Sequence, residues 1–135
     1  MSDHKVYNTP LLKKIGVRQD MNILLLSAPQ GILDLFKEER VVYTTSEADS
    51  PFDLVWIFTN TSKEMETSLN KLSKRIVSNG MIWVSWYKKA SKMPTELNED
   101  MIRDTALALD LVDVKVASVN DHWSGLKLVI PVKNR

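Results

Sequence analysis

The sequence predicts an α/β sandwich with helices on both faces of a mostly parallel sheet. Short apolar runs at residues 21–27, 52–59 and 81–86 lack the alternation of half-exposed strands, so each reads as a strand covered on both faces. Amphipathic helical stretches lie between them, the order that produces parallel pairing through right-handed crossovers. The last two runs, 111–119 and 126–132, are separated by so few residues that only an antiparallel hairpin can join them.

Each element has a local cause. Thr9-Pro10 starts a short helix, with threonine as cap and proline at the first helical position, and Gly16 ends it. Residues 21–27 form the first strand. A helix from Gly31 turns Ile32, Leu35 and Phe36 inward. Residues 41–44 read as a second strand, followed by a polar loop to Pro51. Residues 52–59 are the third strand. Thr61 and Glu64 have capping-box spacing, after which Met65, Leu69, Leu72 and Ile76 form one helical stripe that Asn79-Gly80 stops. Residues 81–86 are the fourth strand, and residues 87–94 a basic loop. A helix begins near Thr95 or Asn98, with Glu99 and Asp100 in its first turn and Met101, Ile102, Thr105, Ala106 and Leu109 facing inward. The hairpin strands, fifth and sixth, close the chain around a turn at residues 120–125.

The 135 residues are expected to form a single domain, residues 1–135, with a short N-terminal tail at 1–8. Hydrophobic residues make up 44% and charged residues 26%, an ordinary globular balance. Eighteen basic and seventeen acidic side chains leave a net charge of +1, which argues against a nucleic-acid binder acting through a strong overall positive field. The absence of cysteine excludes disulfides, thiolate metal sites and cysteine nucleophiles. Two histidines, His4 and His122, give no basis for a metal site. No apolar run reaches the roughly 18 residues of a membrane span, and no secretion signal is apparent, so a cytoplasmic location is expected.

Several phrases together resemble the S-adenosylmethionine-dependent methyltransferase domain. Phe52-Asp53-Leu54-Val55 resembles that superfamily's entry to a central strand. The stretch from Leu72 to Trp83, ending Ser78-Asn79-Gly80-Met81-Ile82-Trp83, resembles its helix exit and next strand, and the terminal hairpin resembles its last two strands. The resemblance implies a three-layer Rossmann-like sandwich whose six-stranded sheet has the order 2-1-3-4-6-5, with one antiparallel C-terminal strand and one strand–helix unit missing after strand two. Residues 11–16, 83–89, 94–97, 112–116 and 123–127 also resemble a family of small bacterial proteins with this shortened frame, a likeness that names no activity.

In such a sheet a ligand site lies outside the carboxyl ends of the strands, where their order reverses. The residues there are candidates for cofactor binding: Ser27, Ala28, Gln30 and Gly31 after strand one, Glu47 after strand two, Asn60 after strand three, and Trp86 and Tyr87 at the end of strand four. The resemblance implies a G-x-G turn after strand one, since side chains there obstruct the approach of a nucleotide. Ser27-Ala28-Pro29-Gln30-Gly31 has one glycine, and Pro29 removes an amide donor. The ribose-binding acid at the end of strand two is replaced by Thr44-Thr45-Ser46, with Glu47 following. Of an Asn-Pro-Pro-Tyr phrase after strand three, Asn60 alone matches.

The other candidates read as structural. Asn60-Thr61-Ser62 is explained by helix capping. Trp83 and Trp86 point to opposite faces, so one at least belongs to the core. Lys88, Lys89 and Lys92 read as a solvated loop, and Asp121-His122-Trp123-Ser124 are too close in sequence to converge as a triad. No nucleophile elbow supports Ser27 or Ser85, and the sequence assigns no catalytic residue and no metal ligand. The expectation is therefore a non-catalytic ligand-binding, regulatory or interaction module, with a small molecule or a protein as partner, and neither nucleic acid nor membrane. The alternative is a methyltransferase with an atypical cofactor turn, in which S-adenosylmethionine is possible but not favoured. A third reading, a subunit that works beside another chain, follows from the open edge expected at strand two.

Overall fold

The computed structural model describes residues 10–135. The tail at 1–8, His4 and the capping role of Thr9 lie outside the described residues. Helix α1 (Leu11–Ile15) ends at Gly16, whose φ of 96° places its amide on the carbonyls of Leu12 and Lys13. Strand β1 (Ile23–Leu26) leads to α2 (Gln30–Glu38), β2 (Phe52–Phe58) to α3 (Ser62–Leu72), and β3 (Ile76–Tyr87) to α4 (Glu99–Ala108). Strands β4 (Val112–Ser118) and β5 (Trp123–Val129) form the final hairpin.

The sheet is Rossmann-like, but it has five strands and is mixed, where six and a mostly parallel sheet were expected. Its order is β1-β2-β3-β5-β4, with β1, β2 and β3 parallel and β5 antiparallel to both β3 and β4. The strand expected at residues 41–44 shrinks to one bridge, in which Thr44 donates to Ile23 O at 2.8 Å and accepts from Leu25 N at 3.0 Å. Side chains end it. The Thr44 hydroxyl donates to Asp49 at 2.6 Å and accepts from Ser46 N at 3.0 Å, so a local turn takes the polar groups that a ladder would need.

Gly80, read as a helix stop, and Gly125, read as the end of the hairpin turn, both lie inside strands. Gly80 belongs to β3, at a bulge where the partner of Phe52 is Ile76 and the partner of Leu54 is Met81. A Cβ there would meet Val77 O at 3.0 Å and Phe52 O at 3.1 Å. Gly125 belongs to β5, where a Cβ would meet the Trp83 ring at 3.0 Å. The turn lies instead at residues 119–122, with Asn120 Oδ1 accepting from His122 N at 2.9 Å and Trp123 N at 3.0 Å. Trp123 therefore starts a strand instead of sitting in the turn.

The two faces hold separate cores. Helices α3 and α4 close over Leu24, Val55, Ile57, Ile82, Val84 and Trp86. Helices α1 and α2 close over Ile23, Leu25, Leu54, Trp56, Phe58 and Trp83. Trp83 is fully buried and donates to Ile15 O at 2.8 Å, which ties α1 to the sheet centre. Arg103 fastens α4 to β4 by donating to Asp113 at 2.9 Å while also pairing with Glu99 and with Asp100. Those bonds, that to Asp113 first, raise its pKa above the ordinary arginine range. No helix among the described residues is long and apolar enough to cross a membrane.

Candidate functional site

The Thr44 bridge lies on one side of β1 and β2 on the other, and the helices that follow β1 and β2 cover opposite faces. The chain order therefore reverses between β1 and β2, the place where such sheets carry a ligand site. The turn after β1 is built by Ser27, which holds a left-handed φ of 57° without being glycine. This conformation costs an L-residue about 1–2 kcal/mol, and such strain concentrates at functional positions. Pro29 is extended at the cap of α2, and no side chain caps that helix, although Ile32 N returns to Pro29 O at 2.9 Å. Ser27, Gln30 and Gly31 are exposed. A Cβ on Gly31 would find nothing within 4 Å. The turn is thus less crowded by protein atoms than its side chains imply.

At the end of β2, Asn60 Oδ1 accepts from Tyr87 N at 2.8 Å. The Asn60 carbonyl accepts from Glu96 N at 2.9 Å, and the Glu96 carboxylate accepts from Ser62 N at 2.9 Å. Asn60, Thr61, Pro94, Thr95 and Glu96 line a cavity of about 310 Å³, near the lower size limit of small-molecule sites. Half of the expected capping box is present, since Thr61 Oγ1 accepts from Glu64 N at 3.3 Å. The Glu64 carboxylate turns instead to the Thr59 hydroxyl at 3.2 Å.

Of the sequence candidates, Ser27, Ala28, Gln30, Gly31, Asn60, Trp86 and Tyr87 all lie at this edge. Trp86 is buried in the core beside Leu97 and is no open wall. Tyr87 is half-buried, with its ring 4.4 Å from that of Trp123, which in turn meets Phe58 edge-on at 5.2 Å. Glu47 is not brought to this edge. It pairs with Lys71 at 3.2 Å, and its carbonyl accepts from Arg75, at the amino ends of β2 and β3. Pro94, Thr95 and Glu96 were not singled out as site residues, because they reach Asn60 only through the fold, across 34 to 36 positions of chain. Among the described residues, no three His, Asp or Glu side chains converge to hold a metal ion.

No family model and no curated protein matches the chain. Solved structures do resemble it. A SAM-dependent methyltransferase from Aquifex aeolicus superposes with a TM-score of 0.63 at 13% identity, covering 89% of this chain and 87% of that one. The ribosomal protein L11 methylase from Lactobacillus delbrueckii subsp. bulgaricus gives 0.60 at 10% identity, covering 88% and 74%. A putative type 11 methyltransferase from Sulfolobus solfataricus gives 0.55 at 10% identity, covering 89% of both chains. Methyltransferases recur among these neighbours, which runs against the expectation of a non-catalytic module; at 9–13% identity what they share with this chain is the fold. The chain has a truncated, methyltransferase-like Rossmann frame.

Proposed function

We propose that this chain is an S-adenosylmethionine-dependent methyltransferase with an atypical cofactor turn, working in the cytoplasm. The observation that carries the proposal is Ser27, held in a glycine-type conformation with a φ of 57° in the turn after β1. Residues 27–31 would hold the cofactor, with Gly31 leaving the backbone open to close approach. When bound, S-adenosylmethionine supplies an activated methyl group.

The chain's own residues supply position and polarity. Asn60 and Tyr87 lock the carboxyl ends of β2 and β3 together and fix one wall of the cavity. Glu96 is the one carboxylate among the residues lining the cavity, and it is the group suited to orient an acceptor or to take its proton. The ribose hydroxyls find no acid from the Glu47 segment and would be held by neutral groups. Affinity in the micromolar range is therefore expected.

Calorimetric titration with S-adenosylmethionine and S-adenosylhomocysteine tests this reading. Micromolar heats from either are expected, and Gly31→Leu should abolish them while leaving the melting temperature in place. Absence of heat, with no shift in melting temperature, refutes the proposal.

A further inference from the structure

The net charge of +1 conceals how the charges are distributed. Helix α4 begins with Glu99 and Asp100, and Glu66 and Asp104 line the groove between α3 and α4. On the other side, α1 carries Lys13 and Lys14, and the segment leaving β3 carries Lys88, Lys89 and Lys92. The fold brings these two segments together. Lys14 Nζ donates to Ser118 O at 3.0 Å, and Lys88 Nζ donates to Ser118 Oγ at 2.7 Å. Two ammonium groups from distant parts of the chain thus meet on one neutral serine. Among the described residues no ion pair joins either to a carboxylate.

The arrangement is built, not floppy. Lys88 N donates to His122 O at 2.9 Å, and the Ser91 hydroxyl donates to Lys88 O at 2.7 Å. Lys92 N donates to Lys89 O at 3.0 Å, with Lys92 itself left-handed at a φ of 60°. The same segment runs on into Pro94, Thr95 and Glu96, which wall the cavity, and Tyr87, next to Lys88, is bonded to Asn60. Cations collected on one surface, against their mutual repulsion and with no ion pair among the described residues, match a ligand that brings its own negative charge.

We propose that Lys14 and Lys88 hold a phosphate group of the methyl acceptor, with Lys89 and Lys92 extending the same surface. The acceptor is thus phosphate-bearing, either a nucleotide or a nucleic-acid strand. Its role as acceptor rests on the methyltransferase reading; the phosphate site stands on the lysine geometry alone.

The test measures binding of fluorescein-labelled AMP and of a labelled twelve-nucleotide single-stranded RNA to the full chain, by anisotropy, without S-adenosylmethionine and at several salt concentrations. At least one probe should bind, more weakly as salt rises, and the Lys14→Gln/Lys88→Gln double variant should raise its Kd tenfold or more. Equal affinity for the two probes identifies a single phosphate group as the ligand. Much tighter RNA binding identifies a strand, whose log–log salt slope the double variant should reduce by about 1.4. Lys71→Gln, at a lysine already paired with Glu47, is the control and should change nothing. Failure of both probes to bind, or a Kd indifferent to the double variant, overturns the assignment. Because the cofactor is absent from this assay, a positive titration with S-adenosylmethionine beside a negative result here removes the phosphate site alone.

Discussion

The two ends of the sheet are finished differently. At the amino end every polar group named here has a partner. Asp53 accepts from Asn22 N at 2.7 Å, the Asn22 side chain donates to Asp49 O and Pro51 O at 2.8 Å each, and Glu47 holds Lys71. At the carboxyl end Ser27 is strained, α2 has no side-chain cap, Gly31 faces open space, and two lysines share a serine. One end is arranged for stability. The other leaves a helix start and a group of lysines open to solvent, while left-handed non-glycine residues occur at both ends, Ser27 at this one and Arg40 and Asp110 at the first.

A matched pair of glycine substitutions gives the largest expected contrast. Gly80→Leu at the amino end forces a side chain against Val77 O and Phe52 O, both backbone atoms that cannot swing away. A loss of about 3 kcal/mol is expected from that overpacking, read as a lower midpoint of urea unfolding. Gly31→Leu meets nothing and removes a helical glycine, so stability should hold or rise by about 0.5–1 kcal/mol. Equal losses at the two sites would erase the distinction between the ends.

Asp53→Ala comes next. It strands the half-buried Asn22 amide and should cost about 1.5–3 kcal/mol, the range for a hydrogen bond to a charged group. Thermal unfolding checks it. Ser27→Gly should act in the opposite direction, adding about 1 kcal/mol by relieving the left-handed serine. A destabilised Ser27→Gly protein would mean that the serine side chain holds the turn, and the strain argument would fail.

Much of this frame was legible in the residues. The apolar runs located β1, β2 and the centre of β3, and the short final connection required the hairpin. Deleting the expected strand two from the expected order leaves the observed one. The misreadings share one cause: Gly and Thr were read by their local preferences, while their neighbours in space decided their conformations. Gly125 is glycine because the Trp83 ring lies on it, and Gly80 because a bulge folds back on itself. Thr44 keeps its backbone bonded to β1, while its hydroxyl closes the turn that ends the strand there. The same holds for the site. The place of the site followed from topology, whereas Glu96 and the meeting of Lys14 with Lys88 required the fold.

The smallest effect tests how far the cationic character extends into the sheet. Lys127 lies directly opposite Lys115 across β4 and β5 and opposite Trp83 across β3, on the face that α1 and α2 cover. Burial, then the charges of Lys115 and Arg135, pull its pKa below the ordinary lysine value of 10.5. A lysine with a depressed pKa binds fewer protons in the folded chain than in the unfolded one. The penalty is therefore complete below the folded pKa and fades as pH rises to 10.5. Lys127→Met should stabilise the protein at pH 7 by less than about 1 kcal/mol, because water still screens the group and like charges across strands repel only modestly. The gain should shrink near pH 10.5. A gain independent of pH would assign the effect to apolar packing against Trp83, and would confine the clustered lysines to the carboxyl end where Lys14 and Lys88 meet.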